Sequence, residues 1–270
     1  MSRVVVALQA VVTWLAVLVL TIVLFAAAAL TGVFAADLRA HWHGWCRRWA
    51  KCTLALARVR VETADRRRLE RLVARGPLIL AANHQSMLDI AILLAEIPGG
   101  FGFLSKVEVF SIPFFGAAAE LFGCIPLKRG DRVSATEALG AAAQALREGR
   151  SVLIFPEGTR SRDGQLARFK RGAMLLSART GVPVLPLVIG GSYELLPRQT
   201  FIGRPGTVSL SAGPLIPPPD LIAVEAASQE LRDAVQQLLP TPFERQGERR
   251  DHKGFEEGRE AHRGSEPALA

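Results

Sequence analysis

Several residues and motifs that mark common enzyme classes are scarce or absent in this sequence. The three cysteines form no CxxC pair, which argues against a disulfide framework. The chain has no GxSxG pattern, typical of the nucleophile turn of α/β-hydrolases. It also has no GxxxxGK[ST] or GxGxxG loop for nucleotide phosphates. These absences disfavour a serine hydrolase, a P-loop nucleotide hydrolase and a dinucleotide-dependent enzyme.

Histidine is also scarce, with five residues in the whole chain. His41 and His43 follow a long apolar run, and His252 and His262 lie in a charged C-terminal stretch. His84 is therefore the one histidine in the part of the sequence that is typical of a folded domain. This disfavours a zinc site, and no metal is predicted. An imidazole acting as general base would have to be His84.

Charged residues are missing from residues 4–36. A membrane span needs about 20 apolar residues, and a cleavable signal peptide has a shorter apolar core behind a basic region. Only Arg3 precedes this run. The pattern predicts a retained membrane segment, either one tilted span or a helix and turn that re-enters near Gly32.

Residues 38–56 have the periodicity of an amphipathic helix. Its apolar face consists of Leu38, Trp42, Trp45, Trp49, Cys52 and Leu56. The remaining positions and the end of the segment carry Arg39, Arg47, Arg48, Lys51 and Arg58. Tryptophan on one face and arginine on the other are typical of an interfacial helix, and packing on the domain core is the alternative. The basic flank predicts that the domain that follows lies in the cytoplasm.

The formal net charge is +8, and the stretch from Glu244 onward contributes none of the excess. No nucleic-acid-binding motif is present, so anionic lipid headgroups are the simpler partner and no nucleic acid is predicted. We predict an anchor and interfacial helix in residues 1–60, a catalytic domain in 61–243, and a disordered charged tail in 244–270.

Strand-like and helix-like segments alternate in the central region, which predicts an α/β domain with a mostly parallel sheet flanked by helices. The predicted strands are residues 78–82, 102–105, 151–155, 184–189 and 207–211. The predicted helices are residues 87–96, 114–121, 134–148, 173–180 and 226–238.

His84 and Asp89 are five residues apart, so they would point away from each other within one helix. Residues 78–82 read as a buried strand, and Ser86 resembles an N-cap with Asp89 in the first turn behind it. His84 then lies in the strand-to-helix loop, where an Asp89 that points back can contact the imidazole. The alternative is that Asp89 completes a capping box and His84 is an ordinary loop residue.

Three loops combine glycine with basic residues: residues 123–129, 155–161 and 169–172. Gly158 permits unusual backbone angles, and the N–H groups of such a turn beside Arg160 can hold a phosphate. Each loop alone is equally compatible with solvated charges. Convergence of all three at one end of the sheet would make an anion pocket.

Four sequence blocks in this order resemble the glycerolipid acyltransferases, and among them the bacterial 1-acylglycerol-3-phosphate acyltransferases. NHxxxxD stands at residues 83–89 and a Gly-x-Ile-x-x-x-Arg pattern at 123–129. FPEGTRS is complete at 155–161, and Val-Pro-Val-Leu-Pro follows at 182–186. The blocks cover about residues 78–190 and are shared by enzymes with different acceptors.

This resemblance implies direct acyl transfer to a lysolipid, with acyl-CoA or acyl-carrier protein as donor and no cofactor. His84 would take the proton of the acceptor hydroxyl, and Asp89 would hold the ring. The resemblance implies substrate-binding roles for Lys106, Arg129, Glu157, Gly158, Thr159 and Arg160. It implies structural or acyl-site roles for Asn83, Pro156 and Pro183.

Several functions remain compatible with the sequence. The enzyme would make phosphatidic acid for phospholipid biosynthesis if its acceptor is 1-acylglycerol-3-phosphate. Another lysophospholipid or a lyso-ornithine lipid would use the same chemistry. A non-catalytic lipid-binding protein and a hydrolase in which His84 activates water are alternatives from other classes.

Overall fold

The computed structural model of the chain describes residues 3–112 and 115–239. The helices are α1 (Arg3–Gly32), α2 (Leu38–Leu56), α3 (Arg66–Ala74), α4 (Leu88–Glu96), α5 (Phe115–Phe122), α6 (Arg132–Arg147), α7 (Gly172–Thr180), α8 (Ser192–Leu195) and α9 (Val224–Leu238). The strands are β1 (Val59–Thr63), β2 (Ile79–Ala82), β3 (Phe101–Lys106), β4 (Ile125–Leu127), β5 (Ser151–Ile154), β6 (Val184–Gly190) and β7 (Gly206–Ala212). The tail predicted for 244–270 lies outside the described residues.

The strands form one mixed sheet in the order β1-β7-β6-β2-β5-β3-β4. The five strands from β6 to β4 are parallel to one another, whereas β7 runs antiparallel to β6 and parallel to β1. Every residue of β2, β5 and β6 is buried, as expected for central strands covered by helices on both faces. The predicted mostly parallel α/β sheet is confirmed.

The elements that were not predicted lie mainly at the sheet edges. β1 contains two charged residues in five, and β4 is three residues long with Pro126 in its middle. Such strands lack the apolar run of a buried strand, because an edge position exposes part of the backbone to water. α3 opens with three arginines, and its first turn is capped by Asp65, whose Oδ1 accepts from the Arg68 N–H at 2.9 Å.

The tryptophans of α2 are buried or partly buried, whereas Leu38, Cys52 and Leu56 on the same predicted face are exposed. Trp42 is buried and lies against Phe25 of α1, with ring centroids 5.7 Å apart. Trp49 Nε1 donates to Thr21 Oγ1 at 2.9 Å. Trp42 and Trp49 therefore pack on α1, and a second strip of α2 that includes Ala50 and Leu54 is buried in the domain core. The predicted interfacial role of α2 stays a prediction.

The exposed apolar surface belongs to α1 instead. α1 is the one helix in the described part of the chain that is long and apolar enough to cross a membrane. Its exposed large apolar residues are Val4, Val5, Leu8, Val11, Val12, Leu15, Leu18, Val19, Ile22, Val23 and Leu30. Their spacing of three and four residues puts them on one side of the helix, opposite the side that packs on α2.

Candidate active site

The parallel strands bring their C-terminal ends to one edge of the sheet. The chain leaves β2 into the His84 loop and leaves β5 into residues 155–161, while Lys106 ends β3 and Arg129 lies just beyond β4. Ligands in open α/β sheets bind at this edge, because the loops there converge. The sequence blocks, far apart in the chain, therefore meet in space.

The predicted contact between His84 and Asp89 is present. His84 Nδ1 lies 2.8 Å from Asp89 Oδ2, and both side chains are buried. The same oxygen accepts from the backbone N–H groups of Gln85 at 2.7 Å and Ser86 at 2.8 Å. A carboxylate held in this way favours a proton on Nδ1, so that Nε2 carries the lone pair of the neutral ring.

The start of α4 differs from the prediction. Ser86 was expected as the N-cap, but the helix begins at Leu88 after Met87, which makes no side-chain cap. The Ser86 hydroxyl donates to the Leu196 carbonyl at 2.8 Å and accepts from the Leu88 N–H at 3.2 Å. Its bond to Leu196 orients this hydroxyl toward the segment after β6 and ties the His84 loop to it.

Phe155 forms a wall against the imidazole and was not predicted as a site residue. The rings of Phe155 and His84 are stacked, with centroids 4.0 Å apart and planes at 18°. Stacking restricts the orientation of the imidazole, and an aromatic face also attracts a cation such as the imidazolium form. The available signal was its position, since Phe155 ends the predicted strand and begins the FPEGTRS block.

Glu157 braces the His84 loop. Its Oε1 accepts from the His84 N–H at 2.7 Å, and its Oε2 accepts from the Ala167 N–H at 3.1 Å. Both oxygens therefore accept backbone N–H groups, and the expected contact of Glu157 with the substrate stays a prediction. Burial raises the pKa of Glu157 from 4.5 to about 7, although the two N–H donors favour the charged form.

We expect the replacement Glu157→Gln to change how stability depends on pH. The pKa of Glu157 is about 7 in the folded protein, compared with 4.5 for a glutamate in water. Between these two pH values, the folded protein therefore keeps a proton on Glu157 that the unfolded chain has released. The resulting contribution to the free energy of unfolding is complete below pH 4.5 and is lost as pH rises through 7. The loss is on the order of 3 kcal/mol.

Melting temperatures in detergent between pH 4.5 and 8 test this expectation. The wild-type protein should lose stability relative to Glu157→Gln as pH rises. Glu230→Gln, a change at an exposed position of α9, is the matched control and should follow the wild-type profile. Parallel profiles for wild type and Glu157→Gln would contradict the expectation.

Asn83 joins the His84 loop to β6. Its Oδ1 accepts from the Ile189 N–H at 2.8 Å, and its Nδ2 donates to the Ile189 carbonyl at 2.9 Å. On the other side, the Ser161 N–H donates to the His84 carbonyl at 2.8 Å. His84 is thus held through backbone and neighbouring side chains from both β5 and β6, the two strands that flank β2.

A cavity of about 160 Å³ lies at the C-terminal ends of β3, β4 and β5, and Phe155, which stacks on His84, is one of the residues that line it. The predicted residues that line it are Lys106, Arg129, Pro156 and Gly158. Lys128 and Lys170 add two more cationic side chains to the lining. This cationic lining suits an anionic group such as a phosphate.

Gly158 and Pro156 shape the cavity wall. Gly158 has φ of +73°, and a Cβ there would lie 2.8 Å from Lys170 Nζ. The backbone conformation favours glycine, and any other residue would also displace the end of the Lys170 side chain. The Pro156 carbonyl accepts from the Lys170 N–H at 2.9 Å, which joins residues 155–161 to the third basic loop.

The remaining predicted site residues are Arg160, Thr159 and Pro183. Arg160 is half-buried, and burial lowers its pKa, with a further lowering by the nearby guanidinium groups of Arg198 and Arg129. Thr159 is exposed. Pro183 lies just before the N-terminal end of β6, and its carbonyl accepts from the Ile79 N–H. The length of the strand separates Pro183 from Ile189 by roughly 20 Å. The structure does not bring Pro183 to the site.

Comparisons with known proteins agree with this arrangement. A family model described as acyltransferase matches residues 58–190, a range that contains all the site residues predicted from the sequence. A 1-acyl-sn-glycerol-3-phosphate acyltransferase from Pseudomonas aeruginosa is 34% identical over 185 residues, covering 67% of this chain and 68% of that protein. The chain belongs to the acyltransferase family.

Other members of the family match over shorter parts. Chloroplastic 1-acyl-sn-glycerol-3-phosphate acyltransferases from Arabidopsis thaliana and Brassica napus are 44% and 43% identical over 121 residues. The chain covers only 34% and 35% of the lengths of these two proteins.

The fold has a counterpart among solved structures. The crystal structure of the 1-acyl-sn-glycerophosphate acyltransferase PlsC from Thermotoga maritima superimposes with a TM-score of 0.74. The superposition covers 86% of this chain and 95% of that chain at 24% identity, so the likeness concerns the fold alone.

Proposed function

We propose that this member of the acyltransferase family transfers an acyl chain to the free hydroxyl of 1-acylglycerol-3-phosphate and so makes phosphatidic acid. The observation that carries the proposal is the buried His84–Asp89 pair, whose imidazole stacks on Phe155, a residue that also lines a cationic cavity. The names of the bacterial and plant relatives support the same reaction and acceptor. The donor is an acyl thioester, acyl-CoA or acyl-carrier protein, and no cofactor is needed.

In this reaction, His84 Nε2 accepts the proton of the acceptor hydroxyl as the oxygen attacks the thioester carbonyl. The tetrahedral intermediate collapses with loss of a thiolate, which takes the proton from the imidazolium and leaves as the free thiol. Asp89 orients the ring and stabilises its positive charge, and the stacked Phe155 ring limits its rotation.

The acceptor phosphate binds among Lys106, Arg129 and Arg160, with the backbone of Gly158 and Thr159 as further support. The cationic lining of the cavity suits a phosphate monoester. Asn83, Pro156 and Pro183 have structural roles in this proposal, and Glu157 supports the His84 loop.

The apolar face of α1 supports membrane binding by residues 1–60, with residues 61–243 as the acyltransferase domain. Because α1 packs along α2, the membrane-binding helix lies against the domain that carries the site. Acceptor and product are both lipids, so an enzyme at the bilayer surface meets them directly. The basic residues of α2 favour the cytoplasmic face of the inner membrane.

An acyl-transfer assay tests the proposal. Purified protein in detergent receives labelled acyl-CoA or acyl-carrier protein together with 1-acylglycerol-3-phosphate or another lysolipid. We expect labelled phosphatidic acid as the main product. Transfer to a different lysolipid alone would correct the acceptor, and release of free fatty acid without acylated lipid would refute the transferase function.

A further inference from the structure

The segment that follows β6, residues 191–205, flanks the candidate active site. β6 and β5 lie on either side of β2, so the segment after β6 and the loop after β5 border the His84 loop from opposite sides. The family match ends at residue 190, and the four sequence blocks do not extend into this segment. Its position at the same edge of the sheet nevertheless gives its side chains access to the site.

Side-chain hydrogen bonds hold this segment in place. Arg198 Nη1 donates to the Arg160 carbonyl at 3.0 Å. Tyr193 Oη and Gln199 Nε2 each donate to the Arg162 carbonyl at 2.9 Å. Ser86 in the His84 loop donates to the Leu196 carbonyl. Arg198 is therefore positioned next to the FPEGTRS block by contacts on both sides of it.

The guanidinium groups of Arg129, Arg160 and Arg198 have no carboxylate partner among the described residues. Arg198 and Arg129 are close enough to Arg160 to act on its charge, and Arg160 is half-buried. Among residues 3–112 and 115–239, none of the three forms an ion pair with a carboxylate. Asp89 is the nearby carboxylate, and its Oδ2 is occupied by His84 and two backbone N–H groups. Like charges gathered without compensation form a site for an anion.

The same segment also touches the apolar helix α1. Trp14 Nε1 donates to the Phe201 carbonyl at 2.6 Å, and the two rings meet edge to face with centroids 6.2 Å apart. Arg198 thus lies on a segment that connects the His84 loop to the helix with the exposed apolar face. An anionic group carried by a lipid would approach from this direction.

We propose that Arg198 binds the phosphate group of the lysolipid acceptor together with Arg160. This assignment rests on the proposed function and adds a residue from outside the four sequence blocks to the acceptor site. Its guanidinium contributes a second planar fork for the phosphate oxygens, while its bond to the Arg160 carbonyl keeps the two forks adjacent.

Steady-state kinetics of Arg198→Gln test the assignment, with Arg204→Gln as the control at an exposed position of the same segment. We expect KM for 1-acylglycerol-3-phosphate to rise about 10- to 100-fold, with kcat within about twofold and the KM of the acyl donor unchanged. Arg198→Lys should restore part of the affinity, because a lysine keeps the charge but not the fork. Arg204→Gln should match the wild type.

An acceptor without phosphate separates binding from a purely structural role. Transfer to 1-acylglycerol should be the same for wild type and Arg198→Gln if Arg198 acts on the phosphate. Equal losses with both acceptors, or a rise in the KM of the donor instead, would overturn the assignment. Failure of the proposed function would appear differently, as no transfer by the wild-type protein, and would overturn both.

Discussion

Replacement of His84 by alanine is expected to lower kcat for acyl transfer by about 10²–10⁴-fold, the usual contribution of a positioned general base. His84 is the one histidine between residues 44 and 251, and its Nδ1 is engaged by Asp89. No other imidazole in this part of the chain can take the proton from the acceptor hydroxyl. The KM values of donor and acceptor should change little, because the phosphate site and the cavity stay intact.

The measurement compares initial rates of phosphatidic acid formation with saturating substrates. His41→Gln is the matched control, since glutamine keeps an Nε2 that can replace the bond from His41 Nε2 to the Ala28 carbonyl at 2.9 Å. This control should retain wild-type kcat. Transfer by His84→Ala at more than about a tenth of the wild-type rate would rule out His84 as the base.

The isosteric change Asp89→Asn should have the second-largest effect, a fall in kcat of about 10²–10⁴-fold with the fold retained. The asparagine oxygen can still accept from His84 Nδ1 and from the N–H groups of Gln85 and Ser86. The negative charge that stabilises the imidazolium is lost. The amide group would occupy the place of Oδ1, a buried atom without a hydrogen-bond partner among the described residues, so an unpaired NH2 would also destabilise the loop.

Rates and melting temperatures measured together distinguish these two consequences. We expect a large loss of kcat and a small decrease in melting temperature. Asp65→Asn is the matched control, because Asp65 also accepts a backbone N–H at a helix start but lies at α3, away from the site. Near-wild-type kcat in Asp89→Asn would show that the charge of Asp89 does not support catalysis.

The central elements and the His84–Asp89 contact could be predicted because they depend on local geometry. Completely apolar runs such as residues 78–82, bounded by turn signals, are typical of a buried strand. A strand that ends at Ala82 and a helix that begins at Leu88 leave one short loop between them. From the first turn of the helix, Asp89 can reach back to residues of this loop such as His84. Spacing along the chain therefore carries this information.

The role of Glu157 could not be predicted, because its partner is 73 residues away in the sequence. A glutamate beside glycine and arginine fits a substrate site as well as a structural one. The order of strands β2 and β5 puts the carboxylate under the backbone N–H of His84, and burial there raises its pKa. The same holds for Arg198, which approaches Arg160 only because β6 and β5 lie on either side of β2.

The two N-terminal helices show the same division. Periodicity along the chain determined that α2 is amphipathic and that α1 is apolar throughout. A lipid surface and an apolar helix satisfy a tryptophan face equally well, so only the tertiary structure decided that α1 covers Trp42 and leaves its own outer face exposed. By itself the sequence determined the kinds of element and the local pair His84–Asp89, because both depend on residues a few positions apart. Tertiary structure decided the partner of each exposed face and each buried charge, because those partners meet only when distant strands lie side by side.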